Sequence, residues 1–288
     1  MDWPESNSEH WESISLTVYN DHLLTTLGGS WEAPPDVPLN WEVDGILSEL
    51  GSPLPTLEAA FPESGPRIWK DPRLCLLLPF WKTFLPSPLA AVLVWRSPLA
   101  VARSLQKRDG MHLADGIALW ERYNRAALLN LVGLNTFVCS YEAVVRDPTT
   151  ALHDITDWMT ALPQLSSIRN RWDVKKAADS IDTNEPSREQ DADSEILLAQ
   201  HHELALRLSQ LEGGHLPLND STLAGESNWT TALLSARSGS RTREFQIELQ
   251  NKQHELDQLR DSMSWRATKP LRSVMSTIYS FRSKLSQR

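Results

Sequence analysis

Two short stretches carry residue types that hold anions. Trp69-Lys70-Asp71-Pro72-Arg73 gathers two cations and a carboxylate around a proline, and residues 96–104, Arg-Ser-Pro-Leu-Ala-Val-Ala-Arg-Ser, put Arg96 eight positions ahead of Ser104. An arginine offers a planar fork of donors matched to phosphate oxygens, and a serine on a rigid helix adds a compact donor beside it. Ser97 is a helix cap and Pro98 suits the first helical position, so Ser104 falls two turns beyond the cap on nearly the same face, within reach of an extended guanidinium. The chemistry this pattern supports is the binding of an anionic nucleotide. A plainer account stands beside it, in which Arg96 pairs with Asp109 or Glu142 and Ser104 is an ordinary helix residue.

Both stretches need elements to position them. Arg67–Lys70 is a short strand candidate. The unbroken apolar run Leu89–Trp95 is expected to be a central strand covered on both faces, leading into the Ser97-capped helix. A second helix is expected over about 114–132, another buried strand over Asn135–Ser140, and an earlier helix over Ile14–Leu27 that stops at Gly28-Gly29. Strands alternating with helices predict an α/β domain with a mostly parallel sheet over residues 1–172, where ligands collect at the carboxyl ends of the strands. Residues 173–243 read as a charged and then Ser/Gly-rich linker with one helix at about 195–211. Residues 244–288 read as a short coiled coil, with Leu249, Leu256 and Met263 seven apart, followed by a basic tail. The coiled coil offers a route to a homo-oligomer, and the tail a contact with an anionic membrane surface or a protein.

Composition narrows the function classes. The chain of 288 residues is 41% hydrophobic with 12 tryptophans, enough for one substantial core. A net charge of −9 argues against general nucleic-acid binding, so local cations must hold any anionic ligand against the overall field. The two cysteines, Cys75 and Cys139, lie in apolar runs and suit buried thiols in a reducing, cytoplasmic setting. No signal-like segment or membrane-length apolar run is read. No metal-ligand spacing is read, and no Gly-x-x-x-x-Gly-Lys-Ser/Thr is present, which disfavours a P-loop kinase.

Four segments in order resemble the bacterial sulfotransferase family: Trp69-Lys70-Asp71-Pro72-Arg73, Val-Leu-Val-Trp-Arg-Ser-Pro-Leu-Ala-Val-Ala-Arg-Ser-Leu from Val92, Leu-Trp-Glu-Arg-Tyr-Asn-Arg-Ala-Ala-Leu from Leu119, and Ser-Tyr-Glu-Ala-Val-Val-Arg-Asp-Pro from Ser140. The resemblance covers roughly residues 5–162. It implies a P-loop-like α/β fold that uses 3′-phosphoadenosine 5′-phosphosulfate (PAPS) as sulfuryl donor, with Arg96 and Ser104 on the 3′-phosphate. It also places Lys70 near the transferring group, as in the Lys-Asp-Pro turn of tyrosylprotein sulfotransferases. A fixed ammonium there stabilises charge gathering on the leaving oxygen. A general base must take the acceptor proton; Glu12 and His10 are the candidates, and the likeness of Trp11-Glu12 to a Trp-Glu in bacterial relatives favours Glu12. The acceptor is expected to be a hydroxyl of a carbohydrate or surface glycan, because Ser-Trp-Arg-Ala-Thr-Lys-Pro-Leu-Arg at 264–272 resembles the ends of bacterial polysaccharide-assembly proteins.

One departure from the family pattern sets a further expectation. Relatives begin with a strand and a Gly-x-x-Arg-Ser-Gly-Thr-Ser turn that cradles the 5′-phosphosulfate, and this sequence starts at about the point they have passed it. A late-assigned start, a truncated inactive remnant acting through its coiled coil, and substitution by another segment are the three accounts. Loss of the relatives' first strand, which would neighbour residues 89–95, is expected to leave the 89–95 strand with an unpaired edge.

Overall fold

The computed structural model describes residues 6–7, 12–35, 42–61, 67–163, 165–166, 173–183, 195–219 and 226–239. The described elements as far as Ala236 belong to one unit, which runs past the boundary expected at 172. It is α/β, rich in helix, with a small mixed sheet. No helix among the described residues is long and apolar enough to cross a membrane.

The chain enters through a minimal hairpin, β1 (Ser6–Asn7) against β2 (Glu12–Ser13), that runs directly into α1 (Ile14–Thr26). Helix α1 stops ahead of Gly28-Gly29, as the sequence predicts. Two short helices follow, α2 (Val43–Leu50) and α3 (Leu54–Ala60), and then α4 (Leu74–Trp81). The inner faces of α1 and α4 form one core around Leu16, Leu23, Leu24, Leu76, Phe80 and Trp81. Each such side chain contributes about 1.5–3 kcal/mol by leaving water. Helix α4 contains Pro79, which has no N–H to give the Cys75 carbonyl one turn back. The side-chain amide of Asn130 makes that bond instead, Nδ2 to Cys75 O at 2.8 Å, and so ties α4 to the next layer.

The sheet comprises β3 (Ala90–Trp95), β4 (Asn135–Ser140) and β5 (Gly213–His215) in that order. Strands β3 and β4 are parallel, with Trp95 level with Ser140, and β5 is antiparallel to β4. The crossover from β3 to β4 is α5 (Pro98–Asp109) and α6 (Leu113–Leu131). Ser97 caps α5 as expected, its Oγ accepting from Ala100 N at 3.3 Å, and Gly110 ends it in the left-handed region at φ +69°. Helix α6 covers one sheet face, where Leu93 and Val138 meet Trp120, Leu128, Leu204 and Leu208. Helices α5 and α6 cross at Gly116, where a Cβ would stand 2.8 Å from Ala102 Cα. Only glycine permits that approach. After β4 come α7 (Tyr141–Arg146) and α8 (Pro148–Ala161); Ile155, Trp158 and Met159 of α8 cover Phe137 and Cys139 on the other face.

Several expectations are corrected. Residues 67–70 form no strand, because Asp71 turns the chain toward α4 by accepting from Arg73 N at 2.8 Å. Strand β3 is an edge of the described sheet rather than its centre: α8 covers only the β4 side, leaving Val92 43% and Val94 54% exposed. Among the described residues the sheet is small and mixed, with one parallel and one antiparallel pairing. The stretch read as a linker also contributes structure. It supplies α9 (Val174–Asp179), α10 (Ala199–Gln210), strand β5, and a helical run over 228–239. The predicted coiled coil and basic tail lie outside the described residues.

Both cysteines are free thiols. Burial pushes Cys75 up to about 12, helped by the nearby Asp71 carboxylate, and burial with Glu212 pushes Cys139 up to about 11.

Candidate functional site

The two parallel strands end side by side, and each runs into a helix capped by the serine at the junction. Ser97 caps α5, and Ser140 caps α7 by accepting from Ala143 N at 3.3 Å. Register places Arg96 just beyond Trp95 and Tyr141 just beyond Ser140, so the two residues are neighbours. The Arg96 guanidinium lies over the Tyr141 ring, 4.4 Å from its centroid, and its main-chain carbonyl accepts from Trp120 Nε1 at 2.8 Å. Stacking fixes the plane of the guanidinium while leaving its edge donors free to bind.

Of the two pairings expected for Arg96 in the plainer account, Glu142 is the one that approaches. Arg96 Nε is 3.9 Å from Glu142 Oε1, beyond hydrogen-bond distance, and Nε is a buried donor with no partner. Asp109 instead pairs with Arg108, Nη2 to Oδ2 at 2.8 Å. Ser104 is exposed on α5. From Ser97 to Arg108 the helix rises about 16 Å, with Ser97, Ser104 and Arg108 on nearly one face.

The other half of the site gathers at the start of α1. Lys70 Nζ donates to Glu12 Oε1 at 2.6 Å, so the two catalytic candidates, 58 residues apart in sequence, are in contact. Arg73 Nη1 is 3.9 Å from the other Glu12 oxygen. The Lys70 side chain is 53% exposed, leaving its ammonium free to move, whereas Glu12 is largely covered. His10, the alternative base, lies outside the described residues.

A buried network sets the Lys70 turn. Trp81 Nε1 donates to Asn20 Oδ1 at 2.8 Å, Asn20 Nδ2 donates to Asp71 Oδ2 at 2.8 Å, and Arg73 Nη1 donates to Asp71 Oδ1 at 3.2 Å. Arg73 also reaches back to α1, Nε to Asp21 Oδ1 at 2.6 Å and Nη2 to Oδ2 at 3.2 Å. Burial raises the Asp71 pKa despite the opposing Arg73 charge. Arg73 is raised in turn, because Asp71 and Asp21 together outweigh its own burial. Trp69 Nε1, one residue before Lys70, is another buried donor with no partner.

Helix α5 carries both Ser104 and Arg108. Arg108, at its far end, is raised first by the Asp109 hydrogen bond, with Glu12 and Glu32 adding to it. Its guanidinium lies over Trp31, 5.5 Å from the ring centroid. Arg96 precedes the Ser97 cap of this helix. Sequence reading left out Tyr141 and Arg108. The Ser140 cap pattern beside a strand end, and the four-residue spacing from Ser104, are the signals that point to them.

No family model, curated protein or solved structure matches this chain.

Proposed function

We propose that this protein is a sulfotransferase with a P-loop-like fold that transfers the sulfuryl group of PAPS to a hydroxyl, that of a carbohydrate or surface glycan. The observations that support it most are the contact of Lys70 with Glu12 and the buried donor that Arg96 keeps without a partner. A buried donor without a partner costs about 1–3 kcal/mol, and an anionic ligand removes that cost. In this reading the nucleotide has a phosphate at Arg96 and Ser104 and its transferable group toward Lys70.

PAPS supplies an activated sulfuryl group. In this reading Arg96 and Ser104 bind its 3′-phosphate, and Tyr141 holds the guanidinium plane. Lys70 Nζ leaves Glu12 and stabilises negative charge on the leaving oxygen, and Glu12, thereby released, takes the acceptor hydroxyl proton. The ion pair keeps base and cation together until donor and acceptor separate them.

Calorimetric titration with adenosine 3′,5′-bisphosphate tests the proposal. Binding by the unmutated chain and a loss of at least about tenfold in Arg96→Ala are expected, since a charged hydrogen bond is worth about 1.5–3 kcal/mol. No binding, or equal binding by both chains, overturns it. A second reading is an interaction protein without turnover that acts through its predicted coiled coil, and the uncovered Val92 and Val94 on β3 favour an incomplete sheet. Absence of nucleotide binding by the unmutated chain selects that reading.

A further inference from the structure

The acid beside Arg96 does not behave as a structural ion-pair partner. Glu142 Oε1 is 3.9 Å from Arg96 Nε and 3.5 Å from Ser97 N, both at the outer limit of contact. The same molecule makes arginine pairs of a different kind: Arg73 holds Asp21 through two donors at 2.6 and 3.2 Å, and Arg122 holds Glu226 through two donors as well. Arg96 is oriented by Tyr141 rather than by Glu142.

The position of this carboxylate is informative. It faces the Ser97 main-chain N–H at the junction of β3 and α5 and the edge of the Arg96 fork, where donors converge from backbone and side chain. Helix α5 has no acid of its own in its first turn, so Glu142 supplies a negative charge there from a neighbouring helix. It is itself in the first turn of α7.

We propose that the Glu142 carboxylate is an internal stand-in for the ligand's phosphate, held loosely against Arg96 and Ser97 in the free protein and displaced when the anion binds. This rests on the nucleotide reading above and deepens it, because it makes Glu142 the residue that sets the affinity of that site. The arriving phosphate takes over the Arg96 donor, and the carboxylate turns outward. The displaced charge stays close enough to repel the phosphate, so binding is weaker than the donors alone allow. An anion of greater charge displaces Glu142 more readily, so the site selects a terminal phosphate over a single-charged group.

The test is titration of the full chain and Glu142→Gln with adenosine 3′,5′-bisphosphate. Affinity is expected to rise about tenfold in Glu142→Gln, about 1.4 kcal/mol. The rise should vanish when Arg96→Ala is added, and Glu142→Asp, which retracts the carboxylate by one methylene, should give a smaller rise. A structural role for Glu142 predicts a loss of affinity. Unchanged or weaker binding in Glu142→Gln, with Arg96→Ala still impaired, overturns the stand-in and leaves the nucleotide reading intact. Binding by none of the chains overturns both.

Discussion

Asp71 and Glu121 are both buried carboxylates with an arginine close by in sequence, yet their acidities move in opposite directions. Burial is the largest influence on each and opposes ionisation. At Asp71 it prevails, and the pKa rises despite Arg73 and Asn20. At Glu121, fully buried on α6, the combined donors prevail and hold the carboxyl well below the usual range. Arg125 Nε donates at 2.8 Å, Ser227 through N at 3.1 Å and Oγ at 2.6 Å, and Thr230 Oγ1 at 2.5 Å; His201 Nε2 stands 3.3 Å away. Three chain segments thus converge on one charge. The difference lies in what each carboxylate serves: Glu121 clamps residues 226–230 and α10 onto α6, whereas Asp71 shapes a turn and retains an electrostatic cost beside the candidate site.

The largest expected effect is at the clamp. Glu121→Leu removes the acceptor shared by Arg125, Ser227 and Thr230 and should lower unfolding stability by about 3–5 kcal/mol, read from the urea midpoint. Amides of residues 228–236 should lose hydrogen-exchange protection first. A loss below about 1 kcal/mol removes the distinction between the two acids.

Acid titration resolves them next. Glu121, depressed in the folded state, contributes stability that is present above its ordinary pKa and is lost as pH falls below about 4.5, at up to about 1.4 kcal/mol per pH unit. Asp71 is raised in the folded state, so the native chain takes up its proton more readily than the unfolded chain, which offsets part of that loss as pH falls toward the ordinary aspartate value. Glu121→Gln should flatten the decline and Asp71→Asn steepen it, measured by thermal melts between pH 3 and 7. The smallest effect is that of Asp71→Asn at neutral pH. Removing a costly buried charge offsets the weakened Arg73 contact, and stability should change by no more than about 1 kcal/mol. A larger loss places Asp71 in the same class as Glu121.

Local rules made part of this molecule legible. The Ser97-Pro98 cap, the stop of α1 before Gly28-Gly29 and the 135–140 strand each depend on neighbours in sequence, and each forms as read. The Asp71 turn also has a local cause, but its side chain competes with strand pairing, so Arg67–Lys70 forms no strand despite its strand-like sequence. The clamp was beyond such rules. Ser227 and Thr230 lie in a Ser/Thr/Asn-rich stretch that reads as linker, and their acceptor is more than 100 residues earlier. At the candidate site, residue types were visible in Lys70, Glu12, Arg96 and Ser104. The contact of Lys70 with Glu12 and the approach of Glu142 to Arg96 required the fold.

The two cysteines give the molecule its own reporter. With Cys75 and Cys139 held protonated far above neutral pH, the nucleophilic thiolate is scarce in the native state at both positions. Alkylating reagents at pH 8 therefore react slowly until the chain opens, and then encounter two ordinary thiols. Cys75 lies in α4 beneath the Lys70 turn, and Cys139 in β4 beneath α8. Mass-resolved labelling of each can separate local opening of either layer from loss of the whole structure, without any engineered probe.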